Sequence, residues 1–130
     1  MSVLLGPSSF REGEKIQVTI ANGLKQSIYT EDSKTDCSII ILQRWHGNTW
    51  QPVLGCVLGR APIVVVIGSG RARLVTINPF SVHLRAGTTE GSKPALRVGP
   101  YRIKFAYRLR PGPEFEEPYA VFSPTFRIRH

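Results

Sequence analysis

In the stretch YRIKFAYRL, Tyr101, Ile103, Phe105 and Tyr107 alternate with Arg102, Lys104, Ala106 and Arg108. A period of two puts successive side chains on opposite faces of a strand, whereas a helix would scatter these residues around its axis. The segment therefore has one dry side and one wet side, as in an antiparallel sheet with one solvated face. EKIQVTIAN repeats the pattern with Ile16, Val18 and Ile20 inward, ending at Asn22-Gly23. YAVFSPTFRIRH sets Phe122, Phe126 and Ile128 in one register, interrupted at Pro124, which points to an edge strand or a bulge.

The rest of the chain has the same grain. Ten prolines and twelve glycines break it into short apolar runs rich in Val, Ile, Phe and Tyr, the residues that fill strands. No window longer than about ten residues carries helical apolar spacing. CSIIILQRW and TWQPVLGC flank His46-Gly47-Asn48, and APIVVVI and RARLVTIN flank Gly68-Ser69-Gly70, so both pairs read as hairpins. A first strand falls within Ser2 to Phe10, and Pro79 to Pro100 is a long connection between sheets. The prediction is an all-β chain, a β-sandwich of about seven antiparallel strands forming one domain over residues 1–130. Ile40, Leu42 and Trp50 are expected in its core beside the alternating residues above.

The two cysteines, Cys37 and Cys56, close the stretch that holds both tryptophans. Folding it about His46-Gly47-Asn48 puts Cys37 nearly opposite Val57, and one bulge would set it beside Cys56, within disulfide reach. Two separate thiols are the alternative. A zinc site is disfavoured because His46, His83 and His130 are scattered. A disulfide here would imply an oxidising compartment.

Seventeen Lys and Arg against nine Asp and Glu give a net charge of +8, a balance suited to nucleic acid, anionic polysaccharide or acidic lipid. Arg102, Lys104 and Arg108 share one strand, followed by Arg110. Arg127 and Arg129 lie on the last strand, and Arg71 and Arg73 on another. If the last strands pair, these form a cationic patch for a phosphate or sulfate backbone. Against this, the aromatics of the strand point inward, leaving nothing to stack bases, and charged strand faces also suppress edge aggregation without any ligand. The residues favour a solvated face, with polyanion or nucleic-acid binding as the alternative. No segment suits a membrane span. MSVLLGPSSF lacks the basic start and apolar length of a secretion signal, so the chain reads either as cytosolic or as a mature or excised domain carrying an added Met.

Catalytic patterns fail on inspection. Gly68-Ser69-Gly70 lacks the third glycine and following helix of a phosphate loop, and RARLVTINPF is strand-like. Glu114, Glu116 and Glu117 sit among prolines and read as a stiff exposed loop rather than a paired-carboxylate or cation site. Neither an enzyme, a cofactor nor a metal is expected.

Several pieces come in a familiar order: the strand ending Ala21-Asn22, then Leu42-Gln43 through a turn to Trp50, then Gly99-Pro100-Tyr101-Arg102 opening a strand, then Phe122-Ser123-Pro124-Thr125-Phe126. In this the chain resembles the bacterial immunoglobulin-like domains of secreted and cell-surface proteins, from Glu14 to Ile128. Tyr101 takes the place of a tyrosine corner, while Ile103 stands where antibody-type domains carry their second cysteine. The antibody-type bridge is thus missing, and Cys37–Cys56 would be a different staple within a hairpin. The resemblance implies a noncatalytic, extracellular or cell-surface structural or binding module, with a protein partner or self-association. SVLLG and PTFRI are the segments suited to completing a neighbour's sheet.

Overall fold

The computed structural model describes residues 1–32, 39–53, 63–79, 96–111 and 118–130. Their regular structure is all strand, in eleven segments with no helix among the described residues. One sheet joins β1 (Ser2–Leu5), β3 (Ile16–Ala21) and β8 (Ala72–Ile77) in the order β1-β3-β8. A larger sheet holds β2 (Ser9–Arg11), β5 (Ile41–His46), β6 (Thr49–Pro52), β9 (Gly99–Tyr107), β10 (Tyr119–Phe122) and β11 (Phe126–Arg129). Its order is β2-β11-β9-β5-β6, with β10 also beside β9. A third pair, β4 (Ile28–Asp32) and β7 (Ile63–Ile67), is tied to the end of β9 by reciprocal backbone bonds between Tyr29 and Arg108 at 2.8 and 2.7 Å.

The alternation read from the sequence sets the buried faces. Ile16, Val18 and Ile20 on β3, Ile103 and Phe105 on β9, and Phe126 and Ile128 on β11 are all buried. They join Ile28 and Ile67 of the third pair in one apolar cluster, so the three sheets share a core. Tyr101 stacks on Phe126 at 5.9 Å and is buried, whereas Tyr107 is only half-buried at the sheet's end, between Phe105 and Tyr119. The β5–β6 hairpin forms as expected around Gly47-Asn48. Both residues have positive φ, 60° and 62°, the type I′ geometry whose twist matches that of the strands.

Several expectations are corrected. The first strand does lie within Ser2 to Phe10, but the chain breaks at Gly6-Pro7, where proline has no N–H to donate, and starts a second strand in the other sheet. β2 then runs parallel to β11, so the strands are not all antiparallel. Ile63–Ile67 and Ala72–Ile77 do not form a hairpin: β7 pairs with β4, and β8 pairs with β3. The cause is Asn22, buried at the end of β3, whose side-chain amide donates to the carbonyls of Ile67 and Gly68 and holds the chain as it crosses between sheets. β4 has little apolar patterning because its inward position 30 is a threonine, whose hydroxyl donates to the Ala106 carbonyl at 2.8 Å. Trp50 is half-buried on the outer face of the larger sheet rather than in the core.

A further correction concerns Phe122. β10 and β11 lie on the same side of β9, but Phe122 faces Lys104 while Phe126 faces Tyr101. Three residues therefore oppose two, which is a bulge at Ser123-Pro124-Thr125. The Ser123 hydroxyl accepts from the Ile103 N–H at 2.8 Å, and the Ser123 N–H donates to the Ile103 carbonyl at 2.8 Å. The extra residue reverses the alternation, so Phe122 faces solvent while Phe126 stays in the core. Of the edge position and the bulge that Pro124 pointed to, the structure has the bulge, and the last strands do pair; the parity of Phe122 is not as expected.

β11 has β9 on one side and β2 on the other, so PTFRI has no open edge with which to complete a neighbour's sheet. Cys37, Cys56, His83, Glu114, Glu116, Glu117 and most of the Pro79–Pro100 connection lie outside the described residues.

Candidate functional site

The outer face of the larger sheet gathers most of the residues that the sequence marked for polyanion binding. On β9, Arg102 and Lys104 alternate with the buried Ile103 and Phe105 and so point outward. On β11, Arg127 and Arg129 do the same around Ile128. The register sets Arg127 opposite Pro100 on one side and Ser9 on the other. Arg129 lies opposite Arg11 of β2, a cation the sequence reading passed over, and its Nε donates to Ser9 Oγ at 2.9 Å. Like charges directly opposite on paired strands are destabilising when nothing neutralises them. Among the described residues, the outward positions of this sheet hold no carboxylate.

Arg108 does not join this face. Beyond the end of β9 its backbone pairs with Tyr29, and its guanidinium reaches the Glu31 carboxylate at 3.9 Å. Arg71 and Arg73 belong to the end of the other sheet, around β8.

Aromatic rings share the face with the cations: Tyr101, Phe105 and Tyr107 point inward as expected, but rings from other strands supply what the sequence reading took to be missing. Trp45 and Trp50 are partners on β5 and β6, edge to face with centroids 5.3 Å apart. The Arg102 guanidinium lies 4.6 Å from the Trp50 ring centroid and 4.1 Å from that of Phe122. Its Nε donates to Gln43 Oε1 at 2.6 Å, which fixes the guanidinium plane between the rings. Desolvation in this position draws the Arg102 pKa below its ordinary value, but a guanidinium remains charged at any pH a folded protein meets. Cation–π contacts of this kind add about 0.5–1 kcal/mol when exposed. The Phe122 contact was legible only by carrying the Pro124 bulge through to the parity of the strand before it.

On the buried side, Arg44 lies opposite Tyr101, and its Nη2 donates to the Val98 carbonyl at 3.1 Å. Its buried Nε has no hydrogen-bond partner. Beside it the Tyr101 hydroxyl donates to the Arg97 carbonyl at 2.7 Å, four residues upstream. Among the described residues no three His, Cys, Asp or Glu side chains are placed to hold a metal ion, and no helix is long and apolar enough to cross a membrane. His46 is exposed at its turn, and His130 pairs with Glu12 at 2.6 Å.

No family model matches the chain, and no curated protein does. Among solved structures, it aligns with a β-glucosidase from Listeria innocua in complex with glucose, at 15% identity and a TM-score of 0.37. The alignment covers 99% of this chain and 16% of that one. At that level of likeness it supports no statement about activity.

Proposed function

We propose that this chain is a noncatalytic immunoglobulin-like module of a secreted or cell-surface protein, binding a partner through the outer face of its larger sheet. The observation that carries the reading is the Tyr101–Arg97 hydrogen bond at the opening of β9. A tyrosine corner occupies this place in immunoglobulin-like sandwiches, at the start of the strand called F. The strand order agrees with it. With β9 as F, β1, β3 and β8 fall in the positions of A, B and E. β5, β6 and the bulged β10–β11 fall in those of C, C′ and G.

The outer face supports the binding half of the reading. Trp and Arg are the residues most enriched where binding energy concentrates, and here Trp45 and Phe122 are 41% and 44% exposed beside Arg102. A face serving solubility alone has no use for large exposed rings held in place by a clamped guanidinium.

The compartment half rests on Cys37 and Cys56 and is tested apart from the face. Protease added to intact cells that express the natural gene product should digest this domain. Thiol titration of the natively purified protein should find neither cysteine free. Protection from protease together with two titratable thiols would place the module inside the cell and sink the extracellular reading.

A further inference from the structure

We infer that the outer face binds a linear anionic polysaccharide, laid diagonally across the sheet along Arg11, Arg129, Arg127, Arg102 and Lys104. The inference rests on the reading of this face as the binding surface and names its ligand class.

The register fixes the order of the track. Arg11 and Arg129 are neighbours across β2 and β11, and Arg127 lies two residues along from Arg129. Arg127 faces Pro100, two residues before Arg102, and Lys104 follows two residues later on the same strand. With ordinary sheet spacings, successive cations stand about 5–8 Å apart and the track runs about 22 Å from end to end. It crosses three strands at a slant: the steps within β9 and within β11 move one outward residue along, the step from Arg11 to Arg129 moves one strand over, and the step from Arg127 to Arg102 does both.

Three observations favour a ligand over a solvated face. No carboxylate occupies an outward position of this sheet among the described residues, although Arg108 just beyond it reaches Glu31. Arg129 and Arg11 face each other directly, an arrangement that an anion lying between them would turn from repulsive to attractive. Arg102 is held rigidly by Gln43, Trp50 and Phe122, so little side-chain entropy is lost when it meets an anion.

The rings decide between polyanions. Nucleic-acid single strands bind such surfaces by stacking bases on open aromatic faces. Here Arg102 stands over a face of both Trp50 and Phe122, and Trp45 meets Trp50 edge to face. With Arg102 occupying those ring faces, charge along the track is the leading interaction, flanked by the exposed parts of Trp45 and Phe122. A sugar polymer with one or two sulfates or carboxylates per residue supplies charges at comparable intervals and needs no base stacking.

The test uses the whole chain, with heparin and a single-stranded thymidine oligonucleotide of matched charge as probes, across a salt series. Heparin should bind with a log–log salt slope of about −4, as expected for five neutralised charges. R11Q/R127Q/R129Q should reduce the slope to roughly −2 and weaken binding by about tenfold or more. R71Q/R73Q/R110Q removes the same net charge away from the track and should bind nearly as the parent does, with both triple variants melting near the parent temperature. Equal losses in the two triple variants would show bulk charge rather than a track and would overturn the inference. So would failure of the parent to bind heparin at low salt, or oligonucleotide binding tighter than heparin and abolished by W45A. Heparin affinity is read on purified protein and cell-surface exposure on intact cells, so the two proposals fail separately.

Discussion

The side-chain amide of Asn22 donates to the Ile67 carbonyl at 2.9 Å across 45 positions of sequence. The same group reaches Gly68 O at 3.1 Å and Gln26 O at 3.0 Å, and its oxygen accepts from Leu24 N–H at 3.0 Å. Its backbone N–H donates to the Arg71 carbonyl, and its own carbonyl accepts from Gly70 N–H, both at 2.9 Å. One buried residue thus holds the turn after β3 and the crossing from β7 to β8, and with it the separation of two strands that the sequence alone presents as a hairpin.

Asn22→Ala should therefore cost about 2–3 kcal/mol, since it leaves buried carbonyls without their donor. Amide exchange should speed most around residues 68–71, where the crossing would open before the sheets do. Asn22→Asp should be worse than Asn22→Ala, because a carboxylate would face the carbonyls it replaces a donor to. Denaturant midpoints and hydrogen exchange read both effects. Uniform loosening across the chain would mean that Asn22 is an ordinary core residue.

Tyr101→Phe keeps the ring stacked on Phe126 and removes only the bond to Arg97, so it should cost about 1 kcal/mol in urea unfolding. Burial also pushes the Tyr101 phenol above its ordinary value of 10.0, with the Arg44 charge pulling part of the way back. Below pH 10 the phenol is protonated whether the chain is folded or not. Above it the unfolded chain releases the proton first, so stability should fall as pH rises. That alkaline decline should be shallower in Tyr101→Phe, and an identical pH profile in the two proteins would contradict the burial of the hydroxyl.

The parity of β9 has a sharp mutational signature. Phe105 is fully buried, so Phe105→Ala should cost about 3–5 kcal/mol, near the whole stability of a small domain. Lys104→Ala, one residue away on the outer face, should change stability by less than about 0.5 kcal/mol. Comparable losses from the two would mean that the register is wrong.

Much of this fold was legible because burial imposes a period on a strand. β3, β9 and β11 each carry apolar residues at every second position, and each buries them, apart from Tyr107 at the end of β9, which is half-buried. What was hidden depends on contacts distant in sequence. A threonine whose hydroxyl is satisfied by Ala106 looks like a surface residue until the carbonyl beside it is known. A Gly-Ser-Gly segment reads as a hairpin unless Asn22 is seen to hold it open. The outer face of the larger sheet was half legible: charge and alternation marked Arg102, Lys104, Arg127 and Arg129. The rings beside them required the bulge at Ser123-Pro124-Thr125 and the outward turn of Trp50. Arg108 was misjudged because alternation continues through it, although β9 stops at Tyr107 and Arg108 turns to Glu31.

The last prediction concerns Gly99, where β9 opens beneath Arg44. Its φ of +150° lies in a region that side chains rarely adopt, and a Cβ built there would stand 3.4 Å from both Nε and Nη2 of Arg44. Gly99→Ala thus combines a backbone cost with a crowding cost. The backbone part should dominate, at about 1–3 kcal/mol, since the far end of an arginine can give way by a few tenths of an ångström. Arg44→Met separates the two. It removes the guanidinium and its unpartnered Nε while keeping an apolar stem of similar length, and buried charges replaced in this way are often neutral or stabilising. If crowding is minor, Gly99→Ala should cost nearly as much in the Arg44→Met background as in the parent, leaving a coupling below about 0.5 kcal/mol in the double-mutant cycle. A cost that largely vanishes in that background would show that Arg44, and not the backbone, is what requires glycine at this position.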